Sequence, residues 1–222
     1  MLSPAGDRLG LERITELLER LGRPQEQLPP VFHVAGTNGK GSTVAFLRAA
    51  LEASGQKVHV FTSPHLVRFN ERIRIAGKLV DDERLSELLA QVLDVGSGVE
   101  PSFFEVTTAA AILAFAQTKA DACILEVGLG GRLDATNVIE RPLVTGIANL
   151  ALDHQQFLGE GLGDIAAEKA GIAKAGVPLI TQLYPPEVTT RIIEIARARG
   201  APVLARGTTW DAIVRQGRLH YN

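Results

Sequence analysis

The sequence predicts an α/β fold, a doubly wound and mostly parallel sheet that carries a phosphate-binding loop. Short apolar runs alternate with amphipathic segments from Val31 to Ala205, as right-handed βαβ crossovers require. Early in that alternation the run Val31–Ala35 passes straight into Gly36-Thr37-Asn38-Gly39-Lys40-Gly41-Ser42-Thr43. An amphipathic segment from Thr43 to Ser54 follows, and strand, glycine turn and helix together form the context of a phosphate loop. With 222 residues, 45% of them hydrophobic, the chain can bury one sizeable core.

The elements follow in order. Leu11, Ile14, Leu17, Leu18 and Leu21 recur at helical spacing, with Glu12, Arg13, Glu16 and Glu19 on the opposite, solvent-facing side. Gly22 and Pro24 stop that helix. After the glycine turn and its helix, Lys57–Phe61 reads as a strand, and Thr62–Arg72 is too polar and broken for a core element. Arg72–Gly77 alternates like a strand entering a turn. Asp81 caps a helix with Leu85, Leu88, Leu89 and Val92 on its apolar face. Gly96-Ser97-Gly98 links it to an apolar helix from about Phe103 to Gln117. Strand Asp121–Val127, strand Leu143–Asn149, a helix near Ile165–Lys174, strand Val177–Thr181, helix Val188–Arg199 and strand Pro202–Ala205 complete the pattern. The tail Arg206–Asn222 starts something new.

Several classes are excluded or disfavoured. A net charge of −2 offers no nucleic-acid footprint. No apolar run is long enough to span a membrane, and Met1–Asp7 lacks a secretory signal's regions, so the expected location is cytoplasmic. The lone Cys123 sits in an apolar strand, where a small hydrophobe suffices.

In the phosphate loop, glycines let successive N–H groups face an anion and the helix N-terminus adds its positive end. Lys40 would reach the terminal phosphates, and the hydroxyl of Ser42 or Thr43 could meet magnesium. Gly41 separates Lys40 from Ser42, a departure from the usual pattern in which Ser or Thr follows the lysine directly; it argues against a kinase or GTPase switch. In an open parallel sheet, ligands sit beyond the carboxyl ends of the strands. Ser63, Glu126 and His154 fall there and could hold magnesium between ATP oxygens. Each has a plainer reading: Ser63 before Pro64 as a turn former, and His154 after Asp153 as a capped loop residue. Glu126 ends an apolar strand, where a carboxylate is costly unless paired or metal-bound. Gly128-Leu129-Gly130-Gly131 lacks dinucleotide spacing and reads as a turn that brings Arg132, Leu133 and Asp134 to a pocket. Lys169 reads as an exposed helix lysine, and Phe103-Phe104-Glu105 as either core packing or a grip on a flat heterocycle.

The segment His33–Ser42, with its glycine after the lysine, resembles the nucleotide loop of the folylpolyglutamate synthase/dihydrofolate synthase family of the Mur ligase superfamily. Further segments resemble that family in the same order: Ser63–Leu66 with Arg68–Arg72, Phe103–Glu105, Leu125–Asn137, Leu152–His154 with Phe157–Gly159, and Glu168–Ile172. The resemblance runs from about Gly10 to Ala205 and implies a Mur ligase central-domain-like fold.

The resemblance assigns ATP binding to Thr37, Asn38, Gly39, Lys40, Gly41 and Ser42, and magnesium to Ser63, Glu126 and His154. It makes Lys40, His154 and Lys169 the catalytic group, Lys169 as a carbamylated lysine. Ser102, Phe103, Phe104, Glu105, Leu133, Asp134 and Ala135 would contact pterin or folate, and Pro64, His65, Arg68, Asn70, Glu71 and Arg72 would belong to a mobile loop. The implied reaction joins L-glutamate to dihydropteroate or folate through an acyl phosphate, at the expense of ATP and with magnesium, in a monomer without nucleic-acid or membrane partners. Residues 1–205 would form the P-loop ATPase domain and 206–222 the start of its remainder. Members of the family run well beyond this length, and the Asp-Gly-Ala-His-Asn-Pro-type motif of their C-terminal glutamate-ligase domain has no counterpart in this sequence. Another Mur-type ligase, or a fragment that binds nucleotide or pterin without turnover, are the alternative readings.

Overall fold

Eight strands form one sheet in the computed structural model, which describes residues 9–152 and 161–221. At its centre β1 (Val31–Ala35) lies between β5 (Ala122–Glu126) and β6 (Val144–Ile147), both parallel to it. On the β5 side follow the parallel β2 (Val58–Phe61) and a short antiparallel edge, β3 (Ile73–Ile75) and β4 (Lys78–Leu79). On the β6 side follow β7 (Leu179–Thr181) and β8 (Val203–Ala205), both parallel. The chain leaves β1 toward one edge and β6 toward the other, so the winding reverses beside β1. That reversal opens a crevice at the carboxyl ends of β1, β5 and β6.

Burial explains the strand composition. Every residue of β5 and nearly all of β1 are buried, as expected where helices cover both faces. On one face, α1 (Glu12–Arg20), α3 (Asp82–Val95) and α4 (Phe103–Ala116) press Ile14, Leu17, Leu88 and Ile112 against Phe61, Ile73 and Leu125. Helices α5 (Leu162–Ala170) and α6 (Pro186–Ala198) extend that layer over Ala35 and Ile147. Helix α2 (Lys40–Ala53) covers the other face, with Val44, Leu47 and Leu51 on Val34, Val58, Val60 and Ile124. Helix α4 is buried almost all round, which its run of small residues permits. Asp81 caps α3 by accepting the Arg84 N–H at 2.8 Å, as its sequence position predicts.

Three expectations change, and the tail gains a definite form. Helix α2 starts at Lys40 rather than Thr43, with the Thr43 N–H donating to Gly39 O at 2.9 Å, so the glycine–lysine–glycine step is already wound. Helix α5 ends at Ala170, short of Lys174. The polar segment before β3 is partly core: Asn70 and Arg72 are buried, and Asn70 Nδ2 donates to Val80 O at 2.9 Å and Asp82 Oδ1 at 2.8 Å. The tail forms an antiparallel hairpin of β9 (Ala212–Arg215) and β10 (Arg218–Tyr221). Among the described residues no helix is long and apolar enough to cross a membrane.

Candidate functional site

The turn after β1 is held open from below. Asn149 O accepts the N–H groups of Thr37 (2.8 Å) and Asn38 (3.2 Å), which ties the loop to the end of β6. Gly36, at φ 154°, packs so closely on Ala148 that a Cβ there would lie 2.9 Å from the Ala148 Cβ. The N–H groups of Gly39, Lys40, Gly41 and Ser42 have no acceptor among the described residues, as expected for a helix's first turn. The Lys40 ammonium folds back onto Gly36 O (3.0 Å) and Thr37 O (3.3 Å). The Thr43 hydroxyl donates to Gly39 O at 2.8 Å, so of the two candidate hydroxyls that of Ser42 is the exposed one.

Beside this turn, β5 ends in Glu126, whose Oε2 lies 4.0 Å from where a Gly41 Cβ would stand. Glu126 is buried, and burial lifts its carboxyl from 4.5 to about 7, against the pull of the Lys40 charge and the Ser63 N–H. Ser63 and Glu126 thus come together at one strand end, next to Lys40. A cation would relieve the buried carboxylate, and a carboxylate with a hydroxyl is a hard-oxygen donor set suited to magnesium. Among the described residues no cluster of three His, Cys, Asp or Glu exists to hold a metal. The third expected ligand, His154, lies outside the described residues.

On the other side of Ser63 a cavity of about 260 Å³ opens, and Ser102, Phe104, Glu105, Leu133, Asp134 and Ala135 line it. Phe103, expected with them, turns away: the residue is 52% exposed and its ring meets Phe69 edge-on at 5.7 Å. Glu105 is occupied structurally. It closes the α4 capping box by accepting the Ser102 N–H at 2.6 Å, and Arg13 Nε donates to both its oxygens at 3.1 and 3.0 Å. Arg13, expected on the solvent side of α1, therefore belongs to the cavity wall together with Leu9, Gly10 and Leu129. No local pattern signals that contact, because its partner lies 92 residues away.

The cavity floor is the glycine turn after β5. Asp134 is buried and its Oδ2 accepts the N–H groups of Gly128 and Leu129, both at 2.9 Å. Its Oδ1 accepts the Thr136 N–H at 2.9 Å and the Thr136 hydroxyl. Four donors fill the acceptor positions of a carboxylate. Burial raises the Asp134 carboxyl above its ordinary range, and these four donors oppose it. A Cβ at Gly128 would stand 2.4 Å from the Phe104 ring, so any other residue there requires that ring to move. Arg132, expected at the pocket, instead reaches Glu168 at 2.9 Å.

Lys169 is buried, 4% exposed, which corrects the reading of an exposed lysine. Its helix is pinned against the glycine turn, where a Gly131 Cβ would lie 2.8 Å from Glu168 O and 3.0 Å from the Lys169 Cα. In the segment after Ser63, Glu71 gathers the N–H groups of Leu66, Val67 and Arg68 at 2.8, 3.1 and 2.7 Å. Those donors hold its carboxyl below the usual range. Arg72 donates to His65 Nδ1 at 2.9 Å and lies over the rings of Phe69 and Phe103. The exposed tip of this segment, Leu66 and Val67, is apolar.

No protein-family model matches the chain. The dihydrofolate synthase/folylpolyglutamate synthase of Bacillus subtilis (strain 168) is 45% identical over 204 residues, 89% of this chain and 47% of that protein. Among solved structures, E. coli FolC in complex with DHPP and ADP matches with a TM-score of 0.93 and 38% identity, covering 100% of this chain and 52% of that one. A bifunctional folylpolyglutamate synthase/dihydrofolate synthase with Mn, AMPPNP and L-glutamate bound matches with a TM-score of 0.89 and 39% identity, covering 100% and 53%. The chain spans about half the length of the curated relatives it matches.

Proposed function

The chain belongs to the dihydrofolate synthase/folylpolyglutamate synthase family, whose N-terminal half it matches, and from that premise we propose that it supplies the ATP and pterin sites of an ATP-dependent amide ligase. One observation carries the reading: the open turn at Gly39–Ser42 and the 260 Å³ cavity meet at Ser63 and Glu126. A phosphoryl donor on one side and a carboxylate acceptor on the other would face each other there.

In this reading Thr37–Ser42 cradle the ATP phosphates. Lys40 leaves its loop carbonyls to neutralise charge on the transferring phosphoryl group. Glu126 and Ser63, with His154, hold magnesium, which supplies charge stabilisation at the phosphate oxygens. The cavity orients dihydropteroate or a folate so that its carboxylate attacks the γ-phosphoryl and ADP leaves. The amine of L-glutamate then displaces phosphate from the acyl phosphate to give the amide. Lys169, buried against the glycine turn, is read as carbamylated, and Pro64 to Arg72 as the mobile loop beside the substrate. Residues 1–205 form the P-loop unit and 206–222 its continuation, in a monomeric cytoplasmic protein that binds neither nucleic acid nor membrane.

Calorimetric titration of the chain with ATP–magnesium and with dihydropteroate, before and after Lys40→Ala, tests the assignment. A phosphate-release assay with glutamate separates binding from turnover. Saturable ATP binding that Lys40→Ala weakens about a hundredfold supports the reading; a folded chain that binds neither ligand removes it.

A further inference from the structure

Two histidines are buried on neighbouring parts of the sheet, and they are treated differently. His59 on β2 uses both ring nitrogens on backbone: Nε2 meets Thr118 O at 2.9 Å and Nδ1 accepts the Ala76 N–H at 3.1 Å, with the ring stacked on Phe115. His59 is a satisfied core histidine. His33 on β1 is fully buried and, among the described residues, makes one hydrogen bond, Nε2 to Thr136 Oγ1 at 2.8 Å, with no partner there for Nδ1.

The direction of that contact follows from its neighbour. The Thr136 hydroxyl donates to Asp134 Oδ1, and a hydroxyl has a single proton. His33 must therefore donate its Nε2–H, which in the neutral ring is the Nε2–H tautomer with Nδ1 a bare acceptor. A buried acceptor without a partner weakens the fold, so an aliphatic residue would serve β1 better on packing grounds alone. We infer that His33 is a positioning residue: through the Thr136 hydroxyl it aims the Asp134 carboxylate, which in turn clamps the Gly128–Leu129 N–H groups and shapes the cavity floor.

The relay runs in one sense, imidazole N–H to hydroxyl to carboxylate to backbone N–H acceptance. It needs a proton on Nε2, and the buried, unpartnered Nδ1 offers no place for the second N–H of a charged ring. Burial, aided by the nearby Lys174 charge, pushes His33 down to about 3, consistent with a neutral ring. The remaining donors on Asp134 are backbone N–H groups, so His33 and Thr136 supply the adjustable part of the clamp. The inference deepens the reading of the 260 Å³ cavity as the pterin site and rests on it for its binding consequences, but not for the relay itself.

The test uses the full ¹⁵N-labelled chain. A long-range imidazole ¹H–¹⁵N spectrum should show His33 as the neutral Nε2–H tautomer at neutral pH. The Gly128 and Leu129 amide resonances should move in Thr136→Val and His33→Leu, and stay near wild type in Thr136→Ser and His33→Gln, whose amide can still donate from the same end. Dihydropteroate affinity should fall about tenfold in His33→Leu and in Thr136→Val, and the double variant should lose no more than either alone. An Nδ1–H or charged His33 overturns the relay, as do unmoved Gly128 and Leu129 signals in folded Thr136→Val. Fully additive affinity losses overturn it as well. If the wild-type chain binds no dihydropteroate, the pterin reading fails, while the tautomer and amide signals still decide the relay.

Discussion

The chain contains two glycine-rich turns at the carboxyl edge of one sheet, and they solve the same problem in opposite ways. The turn after β5 carries its own anion: the Asp134 carboxylate sits inside it and takes the N–H groups of Gly128 and Leu129. The turn after β1 carries no internal anion among the described residues; its Gly39–Ser42 N–H groups have no acceptor there and Lys40 lies on the loop carbonyls. A closed turn is scaffold, because its polar groups are satisfied whether or not a ligand arrives. An open turn is a site, because its donors and its lysine are completed only by an outside anion. The difference teaches that glycine content alone does not mark function; what matters is whether the protein supplies the acceptor.

The largest expected effect breaks the closed turn. Asp134→Ala leaves one buried and two half-buried N–H groups unpaired and should cost about 3–5 kcal/mol in denaturant unfolding. If it costs less than a surface substitution, the carboxylate is not the clamp. In the open turn the balance reverses. Lys40→Ala should weaken ATP–magnesium binding about a hundredfold while leaving the unfolding midpoint close to wild type, so calorimetry and a melt together separate the two turns.

Glu126 sharpens the contrast through pH. Its folded carboxyl titrates near 7 and its ordinary value is 4.5, so the folded chain holds this proton more tightly than the unfolded one. Stability from this group is therefore lost as pH rises through that window, by up to about 1.4 kcal/mol per unit. Glu126→Gln should flatten that slope and be more stable than wild type at neutral pH, the pattern of a functional group kept at a stability cost. Unfolding curves at several pH values across the window check the sign. The smallest effect belongs to Arg132→Ala, which removes a half-exposed pair with Glu168 and should change stability by about 0.5 kcal/mol or less.

The parallel sheet, the phosphate loop and the caps were legible in the sequence because each rests on local spacing. Val31–Ala35 running into Gly36–Ser42 states its own geometry, and Asp81 caps its helix at the expected place. What escaped depends on distant partners. Arg13 looks like a solvent-facing residue on α1 until α4 brings Glu105 to it. Lys169 looks exposed on α5 until the Gly131 turn packs on its backbone. Phe103 and Phe104 are adjacent and alike, yet only Phe104 reaches the cavity, because a helix sends neighbouring side chains in different directions. His33 carries no local signal of its role, since a lone histidine in an apolar strand gives no hint of a threonine 103 residues on.

The most direct test of the two-turn account is an amide ¹H–¹⁵N titration of the chain with ATP–magnesium. The account predicts saturable shifts at Gly39, Lys40, Gly41 and Ser42, with Gly128 and Leu129 nearly still. Shifts centred on Gly128 and Leu129 with a silent Gly39–Ser42 segment would contradict it.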